Sequence, residues 1–148
     1  MKILLATDGS DHSKKALEEA AKIAGGCNAD EVAVINVYEK SPSLSGIYWY
    51  NVTDEDLKRF KKLEEQNLEE RMKLLHTAVK TLQQKNVKAR SIIKEGHPAE
   101  TIARVAREGD YDLLVVGSRG LGGLKKLFLG SVSNALLQEA GTNVLVIK

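Results

Sequence analysis

The chain has 148 residues, 43% hydrophobic and 28% charged, the size and make-up of one ordinary globular domain able to bury its own core. Lys plus Arg number 22 against 20 Asp plus Glu, a formal charge of +2 with a pI near 8.6, and no run of like charge marks a nucleic-acid binder. The single cysteine, Cys27, excludes a disulfide framework and a multi-cysteine metal site, and no apolar run approaches the roughly 18 residues of a membrane helix.

In chain order, Ile3-Leu4-Leu5-Ala6 is a continuous apolar run, as expected of a strand covered on both faces. The N-terminus then meets Asp8 too early for a signal peptide, so the expected location is cytoplasmic. From Asp11 to Ala24, Leu17, Ala20, Ala21 and Ala24 fall at i, i+3, i+4 and i+7, an amphipathic helix that Gly25-Gly26 is expected to close. Val32-Ala33-Val34-Ile35 centres a second buried strand over residues 31–38. No period holds across residues 39–52, where Ser41-Pro42-Ser43 and Ser45-Gly46 signal a loop; at fourteen residues it is long for an α/β crossover. Thr53-Asp54-Glu55-Asp56 resembles a capping box and opens the longest helix, with Leu57, Phe60, Leu68, Met72, Leu75, Val79 and Leu82 on one face.

A third strand is expected over residues 87–94, and Pro98 suits the first turn of a third helix that buries Ile102, Val105 and Ala106 and stops at Gly109. Leu113-Leu114-Val115-Val116 is the fourth strand, followed by a glycine-rich segment over 117–130. A short helix over 131–140, closed by Gly141, leads to a last strand over 144–147. Strands alternating with helices and no internal repeat predict a single α/β domain with a five-stranded parallel sheet.

In such sheets ligands bind beyond the carboxyl ends of the strands, where the winding reverses. If the chain winds outward through three strands and returns beside the first, strands one and four become neighbours. Thr7-Asp8-Gly9-Ser10 then faces the same crevice as Gly117-Ser118-Arg119-Gly120-Leu121-Gly122-Gly123. Gly117, Gly120 and Gly130 permit close backbone approach and positive φ, and Gly130-Ser131-Val132-Ser133 opens a helix whose free N–H groups favour an anion. The Ser131 and Ser133 hydroxyls are candidate donors to phosphate oxygens. No P-loop is present, since neither Gly117 nor Gly120 leads into Lys-Ser or Lys-Thr, and the dinucleotide fingerprint is missing after the first strand. On glycine content alone, a tight strand-to-helix turn accounts for the segment better than a phosphate cradle does.

Gly117-x2-Gly120-x9-Gly130-Ser131, after the fourth strand and before a closing one, resembles the nucleotide-binding motif of the universal stress protein family. The opening strand with Thr7-Asp8-Gly9-Ser10, the segment Glu95-Gly96-His97-Pro98-Ala99-Glu100-Thr101-Ile102 and the ending Thr142-Asn143-Val144-Leu145-Val146-Ile147 are similar to the same family. The likeness spans nearly the whole chain, with residues 39–52 the least typical.

The resemblance implies a Rossmann-like sheet ordered 3-2-1-4-5, as in the adenine nucleotide alpha hydrolase group, and ATP as ligand. Gly117, Gly120, Gly130 and Ser131 would surround phosphates and ribose, with Val132 and Ser133 extending the cradle. Ala6, Thr7 and Asp8 would line its floor, and Val37 would meet the adenine through its backbone. A carboxylate beside a triphosphate must bond backbone donors, the ribose or a divalent cation, so Mg²⁺ at Asp8 is compatible but not demanded; an N-cap for the first helix explains Asp8 equally well. Arg119, Lys125 and Lys126 are candidates for screening phosphate charge. The resemblance also implies a homodimer formed through the apolar last strand, which would otherwise be a bare edge.

Little points to turnover. His12, His76 and His97 share no metal-ligand spacing, and only His12, near the Asp8 loop, stays a site candidate. Ser118 lies in no nucleophile elbow, and no base to position a hydrolytic water is evident. Tyr48-Trp49-Tyr50, three of the seven aromatic residues, marks a contact surface or the packing of its loop. Three readings stand: an ATP-binding switch module of the stress response reading out to a protein partner, a slow ATPase, and a protein-interaction dimer whose glycines are structural.

Overall fold

The structure, a computed structural model, describes residues 1–39, 52–122 and 129–148. Tyr48-Trp49-Tyr50, Lys125 and Lys126 lie outside the described residues. Five strands and four helices alternate: β1 (Lys2–Ala6), α1 (Asp11–Gly26), β2 (Glu31–Tyr38), α2 (Asp54–Gln84), β3 (Ala89–Glu95), α3 (Pro98–Glu108), β4 (Leu113–Gly117), α4 (Ser131–Glu139) and β5 (Asn143–Ile147). The sheet order is β3-β2-β1-β4-β5 and every pairing is parallel, as anticipated. Central β1 faces β2 with Leu4 opposite Ala33 and β4 with Leu4 opposite Leu114.

Strand alternation splits the core in two. Ile3, Leu5, Val32, Val34 and Val115 pack under Ala16, Ala20 and Ala24 of α1 and Leu75, Ala78 and Leu82 of α2. On the other face Leu4, Ala33, Ile35, Leu114 and Val116 meet Ile102, Ala103 and Ala106 of α3 and Leu136 of α4. The alanines of α1 let that helix approach the sheet closely. Among the described residues no helix is long and apolar enough to cross a membrane.

The end of α1 and the start of β3 differ from expectation, for a common reason. Helix α1 runs on through Gly25 and Gly26, because the left-handed residue that turns the chain is Asn28 (φ 48°). Strand β3 starts at Ala89 rather than residue 87. Asn86 (φ 59°) turns the chain out of α2, and Val87 is spent on that turn, buried with its N–H donating to the Leu82 carbonyl at 3.1 Å. Helix α3 ends at Glu108 with Gly109 as its C-cap, as anticipated, and Asp110 (φ 49°) turns the chain just beyond it. Asn and Asp tolerate this conformation because a short polar side chain bonds locally. After α4 the left-handed residue is the anticipated glycine, Gly141 (φ 67°).

The Thr53–Asp56 capping box is present, the Thr53 Oγ1 accepting from the Asp56 N–H at 3.2 Å and Asp56 Oδ2 accepting from the Thr53 N–H at 3.1 Å. The apolar face expected along all of α2 is buried only in its second half. Leu75, Ala78 and Leu82 are covered, whereas Leu68 is 40% exposed and Met72 50%. Length explains this: at ~1.5 Å per residue the helix is about 46 Å long, and neighbouring β2 at ~3.3 Å per residue only about 26 Å. The helix therefore overruns the sheet.

Candidate functional site

The chain winds from β1 outward to β2 and β3, then returns to place β4 on the other side of β1. The loops leaving β1 and β4 lie side by side there, and they line a cleft of about 730 Å³. Its floor is Ala6, Thr7, Asp8, Val116 and Gly117. One wall is Arg119, Gly120, Leu121 and Gly122 with Leu129, Gly130, Ser131, Val132 and Ser133; Ile35, Val37, Pro98 and Ile102 form the apolar wall opposite. Eleven of the residues singled out from the sequence (Ala6, Thr7, Asp8, Val37, Gly117, Arg119, Gly120, Gly130, Ser131, Val132 and Ser133) thus line one cavity. Ser13, Pro98, Ile102, Leu129 and Asn134 line it too, unanticipated. Apolar periodicity marks Ile102 only as core, and nothing local distinguishes the others.

The two loops are knitted together. Asp8 Oδ1 accepts from the Ser10 N–H at 3.0 Å, and Asp8 Oδ2 accepts from the Leu121 N–H at 3.0 Å. The Ser10 hydroxyl donates to the Arg119 carbonyl at 3.2 Å and accepts from the Ser13 N–H at 3.2 Å. The N-cap of α1 is therefore Ser10, not Asp8, whose carboxylate ties the first loop to the second. A short side chain two residues into the turn reaches the Ser13 amide; Asp8 sits too early in it.

The glycines are needed for approach within the protein rather than for positive φ, which none of Gly117, Gly120 and Gly130 adopts. A Cβ on Gly117 would stand 2.7 Å from the His12 carbonyl carbon and 2.8 Å from the Ser13 nitrogen, so the first turn of α1 lies directly on the end of β4. A Cβ on Gly120 would stand 2.5 Å from Asp8 Oδ2, in the place of the Leu121 bond. Gly130 is less crowded, with 3.4 Å to the Arg119 Cα and the Ser118 carbonyl oxygen. His12 packs its backbone and Cβ against Gly117 and is not among the cleft residues, so the structure gives it no place in the site.

Helix α4 begins at the cleft, and its N-cap, Gly130, offers no side-chain cap to the first-turn amides. Those free N–H groups and the helix dipole suit an anion. Ser131 is exposed beside them, but the Ser133 hydroxyl is not free to donate to a ligand. It is 2% exposed and gives its proton to the Ser118 and Gly130 carbonyls, each at 3.0 Å, locking α4 onto the loop. The Gly130 N–H returns a bond of 2.7 Å to the Ser118 carbonyl. Arg119 Nε is buried with no hydrogen-bond partner among the described residues. No group of three or more His, Cys, Asp or Glu able to hold a metal occurs among them. The site is thus half apolar slot and half anion-binding helix start, with one carboxylate clamped between its loops.

The model of the universal stress protein family matches residues 1–148. Universal stress protein YxiE of Bacillus subtilis is 37% identical over 153 residues, covering 99% of this chain and 98% of that one. Protein MJ0577, a universal stress protein of Methanocaldococcus jannaschii, has a solved structure that superposes with a TM-score of 0.82 at 27% identity, over 99% of this chain and 94% of its own. A family protein from Arabidopsis thaliana, solved with AMP bound, superposes with a TM-score of 0.68 at 25% identity, over 100% and 91%. The chain belongs to the universal stress protein family.

Proposed function

We propose that the cleft binds an adenine nucleotide, ATP in particular, and that the protein works as a nucleotide-dependent module of the stress response. The observation behind this is the convergence of an apolar slot (Ile35, Val37, Pro98, Ile102) and an uncapped helix start (Ser131, Val132) on one cavity of nucleotide size. The base would enter between Val37 and Ile102, and the phosphates would lie against the α4 amides with Arg119 beside them. The AMP-bound Arabidopsis protein supports the same ligand class. Mg²⁺, when it accompanies ATP, would be held mainly by the phosphates. Asp8 would join it through a remaining lone pair, since each of its oxygens already accepts one amide N–H. No step of hydrolysis is assigned, because among the described residues no side chain of the cleft stands as a general base placed for water.

The homodimer belongs to the same proposal. Strand β5 is a sheet edge whose Val144, Leu145, Val146 and Ile147 are half-buried, and an apolar edge is a pairing surface. The same strand of a second copy would cover it, in the cytoplasm, leaving the cleft open toward a protein partner. The test is a calorimetric titration of ligand-stripped protein with ATP and Mg²⁺. Micromolar or tighter binding, about −8 kcal/mol, supports the reading, and no heat with no competition by AMP or ADP overturns it.

A further inference from the structure

One buried polar network is used by neither the core nor the cleft lining. Asn36, on β2, is 1% exposed, the sort of position an apolar residue ordinarily fills. Its Nδ2 donates to the Thr7 carbonyl at 2.6 Å, and its Oδ1 accepts from Arg71 Nη1 at 3.0 Å. Only this orientation of the amide satisfies both partners, one an acceptor and one a donor. Arg71 comes from α2, at the point where that helix leaves the sheet, and its guanidinium lies over the Tyr38 ring, 5.5 Å from the centroid. Strand alternation explains the arrangement: Asn36 and Tyr38 face α2 while Val37 between them faces the cleft.

The Thr7 carbonyl is one residue beyond β1, at the start of the turn that carries Asp8, Gly9 and Ser10. The Thr7 N–H is held from β2 as well, by the Ile35 carbonyl at 2.9 Å. Both backbone groups of Thr7 are thus fixed, one by the strand and one by a side chain that α2 fixes in turn. We infer that Asn36 and Arg71 are positioning residues that set the Thr7–Asp8 floor of the cleft. For its ligand this rests on the nucleotide reading above; for the turn itself it does not. The guanidinium matters for shape as well as charge, since its planar fork stacks on Tyr38 while donating to Asn36, so lysine is a poor replacement.

The test uses the full chain as Asn36→Ala, Arg71→Met, the double variant, Arg71→Lys, and Val79→Ala as a control that loosens α2 packing away from the network. Two readouts are ATP affinity and hydrogen exchange of the Gly9 and Ser10 amides without ligand. Asn36→Ala and Arg71→Met each speed that exchange and weaken ATP binding about tenfold, the size of one buried hydrogen bond, and the double variant is no worse than Asn36→Ala. Arg71→Lys recovers the loss in part. Val79→Ala lowers the melting temperature and leaves both readouts unchanged. Wild-type exchange and affinity in Arg71→Met, or changes that merely follow melting temperature as in the control, overturn the inference. Should wild-type protein bind no ATP, the nucleotide reading falls, and amide exchange alone then decides: faster in the two variants upholds the positioning role, unchanged refutes it.

Discussion

The two ends of the sheet are built from the same strands and differ in how they finish their polar groups. At the amino ends the pairs close on themselves. The Met1 ammonium meets Asp30 at 2.6 Å, Lys2 Nζ donates to the Gly109 carbonyl at 2.6 Å, and the Thr142 hydroxyl donates to the Tyr111 carbonyl at 2.6 Å. Arg90 pairs with Glu31 and donates through Nη2 to the Tyr111 hydroxyl at 2.7 Å. At the carboxyl ends the loops after β1 and β4 bond to each other, and beside them the uncapped start of α4 lines an open cavity. One end is finished as a lid on the core, the other as a receptor. Parallel strands make this possible, because all carboxyl ends lie on one side and the loops there vary without disturbing the ladder.

The comparison breaks most sharply at Gly117, which belongs to both the fold and the cleft. Gly117→Val drives side-chain carbon into the His12–Ser13 backbone and is expected to cost about 3 kcal/mol, lowering the melting temperature by roughly 6–12 °C and abolishing ATP binding. Calorimetric melting and titration of one sample measure both.

Gly120→Ala separates the two properties. Its methyl displaces the Asp8 carboxylate from the Leu121 amide, so ATP binding weakens about tenfold while stability falls by about 1 kcal/mol, read by the same two titrations. At the closed end the pattern reverses. Tyr111→Phe removes the acceptor for Arg90 and costs about 1 kcal/mol in denaturant unfolding, with ATP affinity unchanged.

The smallest effect is in pH. Burial pushes the Tyr111 phenol above its ordinary value, with Arg90 opposing and Glu31 reinforcing the shift. A group raised on folding stabilises fully below its unfolded value and loses that contribution as pH rises through the folded one. Wild-type stability is therefore expected to decline above about pH 10 more steeply than that of Tyr111→Phe, as followed by urea unfolding across that range.

The buried strands were legible because parallel strands read as continuous apolar runs, whereas their order and the site residues of the first loop came from the resemblance to the family. Boundaries were less so. The turns after α1 and α2 fall to Asn28 and Asn86, which take the left-handed conformation where a glycine signal would be looked for. Pattern alone placed Leu68 and Met72 on the buried face of α2, since amphipathic spacing says which side is apolar and not how far the sheet beneath extends. Least legible were bonds between distant positions. Asn36 and Arg71 are 35 residues apart and Asp8 and Leu121 are 113 apart, so neither pair leaves a local signal. Ser133 shows the converse, a hydroxyl suited to phosphate by type but committed by the fold to Ser118 and Gly130.

The most direct test of the cleft as a receptor is an amide chemical-shift map of isotope-labelled protein titrated with ATP and Mg²⁺. The account predicts saturable shifts concentrated at residues 6–10, Val37, 117–122 and 130–134, with the Tyr111–Arg90 end unmoved. Shifts absent at saturating ATP, or gathered away from the carboxyl ends of β1 and β4, would contradict it.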